Sequence, residues 1–295
     1  MRSLIECVSV ICLLLAVGGF VHADANADHE TLRVCGDPNN LPFSNETGAG
    51  FENRLAELVA QKLGMKLRYT WWAQRRGFVS HTLKAGACDV IMGVPAGYGP
   101  VETTLPYYRS TYVFVSRVDR KLDISSIEDA RLRELKIGVH LLGNEGTNTP
   151  PAHALGEEGM TGNVVGFTIY GDYRKPNPPA RLIEAVETGE IDLAAAWGPL
   201  AGFAAKQSAI ALSLMPIRDM ERFAPLRAEF DIAMGVRHGD DALRDKLDTV
   251  IAENRTEIET ILRDFGVPLI PLSDEAVLAR LGEAHGRKSP IRGDP

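Results

Sequence analysis

The chain has 295 residues, 45% of them apolar, with 32 Lys plus Arg against 39 Asp plus Glu. That balance excludes disordered, collagenous and fibrous classes, and the length suffices for two domains of ordinary size. A net charge of -7, with no basic run longer than a pair, argues against nucleic acid and against an anionic membrane surface as the main partner.

The first element lies outside the fold. Arg2, the apolar run Val8 to Phe20 and then Val21-His22-Ala23 read as the charged start, apolar core and small-residue cleavage site of an export signal over residues 1–23. That run is shorter than the roughly 20 residues a bilayer span needs, and no later run could span one. A periplasmic product with no membrane span after signal cleavage is expected. Cleavage removes one charge of each sign, Arg2 and Glu6, and takes Cys7 and Cys12, so Cys35 and Cys88 remain. In an oxidising compartment these are either a disulfide or two buried thiols. Parallel neighbouring strands would hold them apart unless loops bend them together. Two cysteines and seven scattered histidines give no ligand spacing for a metal, and no cofactor is expected.

Strand-length apolar stretches then alternate with stretches of helical period. Thr31 to Cys35 is a strand; Phe51, Leu55, Leu58, Val59 and Leu63 recur with helical spacing up to Gly64, and Lys66 to Thr70 is again a strand. Phe78, Val79 and Leu83 mark a helix closed by Gly86, and Asp89 to Gly93 is a run of buried-strand type. This β-α-β-α-β order implies a parallel sheet covered by helices. Tyr107 to Ser116 is rich in β-formers, and Ser125-Ser126-Ile127-Glu128 is a capping box that opens a helix.

A second series follows. Leu135 to His140 is a strand, Asn148-Thr149-Pro150-Pro151 starts a helix, and Val164 to Tyr170 is a strand. Asn177-Pro178-Pro179 caps a helix with Leu182, Ile183 and Val186 on one face and Gly189 at its end, before a buried strand over Ile191 to Trp197. Phe230 to Val236 is a last strand, and Asp241 to Phe265 one long helix stopped by Gly266. The layout is an α/β fold of two lobes: 24–113 as the first part of lobe I, 114–231 as lobe II, and 232–295 as a return hinge strand with C-terminal helices of lobe I. Two hinge crossings and an interlobe cleft follow.

Particular residues carry a resemblance. Leu-Arg-Val-Cys-Gly-Asp-Pro-Asn-Asn-Leu-Pro-Phe-Ser at 32–44, Gly50-Phe51-Glu52, Leu-Pro-Tyr-Tyr at 105–108 and Ile-Ala-Met-Gly-Val-Arg at 232–237 resemble type II periplasmic solute-binding proteins. The likeness covers nearly the whole mature chain. Tyr-Thr-Trp-Trp-Ala-Gln-Arg-Arg-Gly-Phe at 69–78, Asp89 to Pro95, Tyr170-Gly171-Asp172-Tyr173 and Trp197-Gly198-Pro199-Leu200 are more particular. They resemble the MoxJ/XoxJ type, binding-protein-like components encoded with periplasmic quinoprotein methanol dehydrogenases.

On this resemblance the cleft is lined by loops at the carboxyl ends of the strands. Lobe I would contribute Asp37, Asn39, Asn40, Phe43, Trp71, Trp72, Arg75, Arg76, Pro95 and Tyr98, and lobe II Asn144, Thr147, Asn148, Tyr173 and Trp197. Each has an alternative. Trp71 and Trp72 point to opposite faces of a strand, so one is expected in the core. Arg75 and Arg76 precede a helix, where solvation suffices; Asp37 could merely cap its turn, Trp197 could pack in the core, and Tyr107 and Tyr108 suit hinge packing.

Amino-acid-binding members of the superfamily carry an arginine for the ligand carboxylate before the Pro-Tyr crossing and an acid after a later Asp-containing strand. Here the first place reads Gly99-Pro100-Val101-Glu102-Thr103-Thr104-Leu105-Pro106-Tyr107 and the second Trp197-Gly198-Pro199. An α-amino acid ligand is disfavoured, unless Arg109 or Arg75 is recruited. Gly-x-Gly-x-x-Gly after the first strand, Gly-x-Ser-x-Gly, phosphate loops and nucleophile–base pairings are missing, so no enzyme is expected. The resemblance implies an accessory that recognises a quinoprotein methanol dehydrogenase or assists its assembly or activation. The alternative is an ABC-importer receptor for a small non-amino-acid ligand.

Overall fold

The computed structural model describes residues 31–141, 148–168, 177–274 and 278. The export signal lies outside these, as do Asn144, Thr147 and Tyr173 of the expected cleft.

The chain opens with β1 (Thr31–Gly36), a ribbon of β2 (Asn39–Asn40) and β3 (Ser44–Asn45), α1 (Phe51–Leu63), β4 (Lys66–Trp71), a single turn α2 (Phe78–His81), β5 (Val90–Pro95) and β6 (Glu102–Thr103). β7 (Tyr108–Arg117) crosses out. Beyond it come β8 (Ile137–Leu141), α3 (Pro150–Glu157), β9 (Val164–Thr168), α4 (Arg181–Glu187), β10 (Leu193–Trp197), α5 (Gly198–Gln207) and β11 (Leu212–Pro216). β12 (Glu229–Val236) returns and leads into α6 (Asp241–Glu253) and α7 (Arg255–Asp264).

The strands form one path, β4-β1-β5-β12-β7-β10-β8-β9, with β11 paired to β7 and β6 to β12. β1 is parallel to β4 and β5, and β8 is parallel to β9 and β10. The two sets meet where β12 and β7 run antiparallel, from Glu229 opposite Thr111 to Ile232 opposite Tyr108. Each hinge strand then continues into one lobe, β12 beside β5 and β7 beside β10 and β11. The apolar cores divide accordingly: Leu32, Phe51, Met92 and Tyr108 cluster with Met234, Leu247 and Leu262, while Phe114, Ile137, Leu155 and Leu193 pack with Ile217 and Phe223.

Three local expectations are corrected. Ser125 to Glu128 opens no helix: Ser126 Oγ accepts from Glu128 N at 3.2 Å, while a bridge to Arg218 holds the chain extended. The 3-10 turn that follows, Ala130–Glu134, is capped instead by Asp129. The long C-terminal helix breaks at Asn254, whose φ of -120° and ψ of 27° leave the helical region and whose Nδ2 donates to Val250 O at 2.8 Å. Finally, α5 and β11 occupy residues to which the periodicity assigned no element.

Cys35 and Cys88 are bonded, with Cα atoms 5.4 Å apart. The register Val34 opposite Val90 would, continued straight, place Cys88 beside Leu32, three residues or ~10 Å from Cys35. The loop bends instead. Ala87 N donates to Thr82 O at 3.0 Å, Thr70 Oγ1 donates to Ala87 O at 2.7 Å, and Cys88 is carried over the sheet.

The stretch after α7 runs alongside the hinge. Ser110 Oγ donates to Pro268 O at 2.6 Å and Ile270 N to Arg109 O at 3.1 Å. Gly202 of α5 lies so close to Gly266 that a Cβ would strike its carbonyl, and Phe203 stacks on Phe265 at 5.8 Å. Helix α5 of lobe II therefore packs on the tail that follows lobe I's last helix.

Candidate functional site

Parallel strands in both lobes end toward the hinge, and there the lobes enclose a cavity of about 340 Å³. Its walls come from many elements: Asn40 and Phe43 follow β1, Gln74 follows β4, and Gly93, Val94 and Pro95 belong to β5. His140 and Trp197 stand at the ends of β8 and β10, and Thr149 caps α3. The hinge strands supply Tyr108, Tyr112, Phe230 and Ile232, and the first turns of α1 and α5 supply Glu52 and Leu200.

The lobes are latched across the cleft. Asn177 N, at the start of the turn before α4, donates to Asn39 Oδ1 at 2.9 Å. Asp37 acts beneath the site: Oδ1 accepts from Asn39 N at 2.8 Å and Oδ2 from Gln74 N at 2.6 Å. It thereby ties the loops after β1 and β4 together, and Asn40 Nδ2 donates to Gln74 Oε1 at 3.2 Å on the cavity wall.

Asn40, Phe43, Pro95 and Trp197 of the expected set therefore line the cavity. The others lie elsewhere. Asp37 is a buried turn cap and Asn39 a latch. Trp71 lies over Gly36 and stacks on Tyr69 at 4.4 Å, because residues two apart share a strand face. Trp72 is exposed and stacks on His81 at 5.2 Å; Arg75, Arg76 and Tyr98 are also exposed and do not line the cavity. Asn148 N donates to His153 Nε2 at 3.2 Å, one residue before the Thr149 cap. Trp197 combines both of its expected roles, lining the cavity and packing against the lobe I core.

Sequence reasoning missed Glu52, Gln74, His140, Tyr112 and Phe230 and favoured hinge packing over a cleft role for Tyr108. A usable signal existed for the hinge residues. Tyr108 and Tyr112, like Phe230 and Ile232, are spaced by even numbers in a strand and so share one face. Tyr112, Trp197 and Phe230 form one aromatic group, with centroids 5.1, 5.9 and 6.4 Å apart.

Glu52 is half-buried, and the exposure it retains is to the cavity. Burial, with the negative Asp37 nearby, pushes its carboxyl up to about 8. Space for it depends on Gly93, where a Cβ would collide with Glu52 Oε1. His140 is pushed the other way, down to about 4, by burial. Its Nε2 lies 3.2 Å from Pro179 O, and a carbonyl can only accept, so neutral His140 carries its proton there.

No Lys or Arg is among the described lining residues. Arg109 does not reach the cavity: Nη2 contacts Glu229 at 2.6 Å and Nη1 contacts Asp231 at 3.4 Å. Among the described residues, no group of three His, Cys, Asp or Glu could hold a metal, and no helix is long and apolar enough to cross a membrane. The arrangement is suited to holding an apolar body between rings and placing a few oriented polar groups against it.

Comparison with known proteins agrees with this architecture. The chain is 35% identical over 256 residues to protein MoxJ of Methylorubrum extorquens, with 85% of each sequence covered. It is 29% identical over 262 residues to protein MoxJ of Paracoccus denitrificans, covering 84% of this chain and 92% of that one. The crystal structure of the periplasmic binding protein XoxJ from Methylobacterium extorquens AM1 superposes with a TM-score of 0.67 at 36% identity, over 82% of this chain and 100% of that one. That of MxaJ from Methylophaga aminisulfidivorans MPT gives 0.69 at 26% identity, over 81% of this chain and 100% of that one. A family model for bacterial extracellular solute-binding proteins, family 3, matches residues 32–266, and the chain belongs to that family.

Proposed function

We propose that this protein is a periplasmic accessory of a quinoprotein methanol or related alcohol dehydrogenase, which it recognises or helps to assemble or activate. Its action is binding, not catalysis. The observation that carries the reading is the cleft itself: its described walls carry a group of aromatic rings and no guanidinium or ammonium to grip an amino acid's carboxylate. The likeness to the MoxJ and XoxJ proteins points the same way. Two lobes on a hinge, with the Asn177–Asn39 latch across the opening, suit closure on a protruding segment of a partner.

Co-purification tests this. The dehydrogenase should co-elute with the tagged protein from periplasmic extract, and deletion of the gene should abolish growth on methanol. Absence of a complex together with normal methanol growth would refute the role. A second reading, an importer receptor for a small non-amino-acid solute, draws on the cavity's size, which is within the range of small-ligand sites. A solute at 100 times its dissociation constant would stabilise such a receptor by about 2.7 kcal/mol, readable as a melting shift.

A further inference from the structure

We propose that the interlobe cavity is a binding site for a compact alkylammonium cation, held against the rings of Tyr108, Tyr112, Trp197 and Phe230 with the carboxylate of Glu52 as its counter-charge. Aromatic rings attract such cations through their negative faces, and a ring cluster beside a carboxylate is the arrangement that recognises ammonium groups. Here Tyr112, Trp197 and Phe230 are mutually in contact, with interplanar angles of 55° and 73°, and all three line the same cavity as Glu52.

The carboxyl is the second, independent observation. The Glu52 side chain has no hydrogen-bond or ion-pair partner among the described residues, although lone charges withdrawn from water are costly. The charge of Asp37 acts on it by repulsion. The fold nevertheless makes room for it, since Gly93 omits the one side-chain atom that would collide with Oε1. A cation from outside would supply the missing partner. The described lining offers one carboxyl, too few hard oxygen ligands for a bare divalent metal, whereas an ammonium with apolar substituents uses both the charge and the rings.

Binding should be coupled to proton release. Among the described residues, the titratable groups that face Glu52 are Asp37 after β1, Tyr69 on β4, Tyr107 and Tyr108 at the start of β7, and His140 across the same cavity. The tyrosines are raised and His140 lowered, so these four stay uncharged near neutrality. Glu52, poised at about 8 when the site is empty, must lose its proton to pair with a cation. Apparent affinity should therefore rise about tenfold per pH unit up to that point and level off above it.

The test is calorimetric titration of the whole mature protein with tetramethylammonium chloride and with n-butylammonium chloride, using tert-butanol as a neutral counterpart, at pH 6, 7 and 9. The expected result is binding of an ammonium but not of the alcohol, tightening with pH. A preference for tetramethylammonium indicates a free quaternary amine, and a preference for n-butylammonium a lysine side chain offered by a partner. Glu52→Gln should weaken binding at pH 9 at least tenfold and abolish the pH dependence, and Trp197→Leu should weaken it at every pH. Equal binding of tert-butanol, unchanged binding by Glu52→Gln, or no binding of either ammonium at millimolar concentration overturns the proposal. The titration needs no dehydrogenase, so its failure leaves the accessory role untouched.

Discussion

The start of β5 in lobe I and the start of β10 in lobe II are built on one plan and secured differently. In lobe I, Asp89 N donates to Arg33 O at 2.7 Å while Arg33 N donates back to Asp89 Oδ2 at 3.3 Å. In lobe II, Asp192 N donates to Lys136 O at 2.9 Å and Lys136 N donates back to Asp192 Oδ2 at 2.9 Å. The residue before each aspartate then meets the second residue beyond its partner. Cys88 thereby reaches Cys35, and the pair is covalent; Ile191 reaches Gly138, and the pair is a van der Waals contact so close that a Cβ at 138 would collide. The aspartates differ as well. Asp89 receives both Arg33, at 2.5 Å, and Arg237, at 2.9 Å, while Asp192 pairs with Arg120 at 2.7 Å. The same backbone junction can thus be closed by a bond or by shape, and the lobes are expected to respond to different insults.

The largest effect should come from the bond. Reduction, or Cys35→Ser with Cys88→Ser, opens a loop spanning 53 residues and should cost about 4 kcal/mol in denaturant unfolding. The loss should fall on lobe I, so amide protons of β1 and β5 should exchange faster while those of β8 and β9 keep their protection. Equal loss of protection in both sets would show the lobes to be one cooperative unit.

Next comes shape. Gly138→Val would drive a methyl-bearing carbon into Ile191 and Leu182 and should cost about 3 kcal/mol. Adding Ile191→Ala should recover part of that cost if the Gly138–Ile191 contact is lobe II's substitute for the disulfide, and strictly additive losses would break the analogy. Asp89→Asn should cost about 2 kcal/mol and Asp192→Asn less, because the first loses charge-assisted bonds to two guanidiniums. Burial alone would raise the Asp89 carboxyl, but hydrogen bonds from Arg33 and Arg237 outweigh it and hold it below the usual value. A lowered folded value adds stability that is present above the ordinary aspartate value, about 3.9, and lost as pH falls below it. The difference between wild type and Asp89→Asn should therefore shrink in acid unfolding below about pH 4.

The smallest effect should be at the latch. Asn39→Ala removes the neutral hydrogen bond from Asn177 N between the lobes, worth about 1 kcal/mol, and should raise the radius of gyration in solution scattering. An unchanged scattering profile would mean that the tail along the hinge, not the latch, holds the lobes together.

Much of this was legible from residue patterns. The stripe from Phe51 to Leu63 and the left-handed stop at Gly64, φ 66°, are local properties, and α1 ends where they say. Helix α5 was not legible: its glycines and alanines give no amphipathic stripe, and Gly202 earns its place only against Gly266. At the site, strand-end placement found Asn40, Phe43, Pro95 and Trp197. It could not find Glu52, because an acid in a helix's first turn ordinarily reads as solvated and dipole-stabilised, and its burial depends on Gly93 in a separate strand.

The order of strands and helices apart from α5 and β11, the two crossings and the class of fold follow from periods of two and 3.6 and from turn residues, which act over a few neighbours and are therefore readable in one dimension. Which cysteines meet, which rings share a wall and which carboxyl stands unpaired were decided only when the lobes packed, since register, loop curvature and burial depend on residues far apart in the chain.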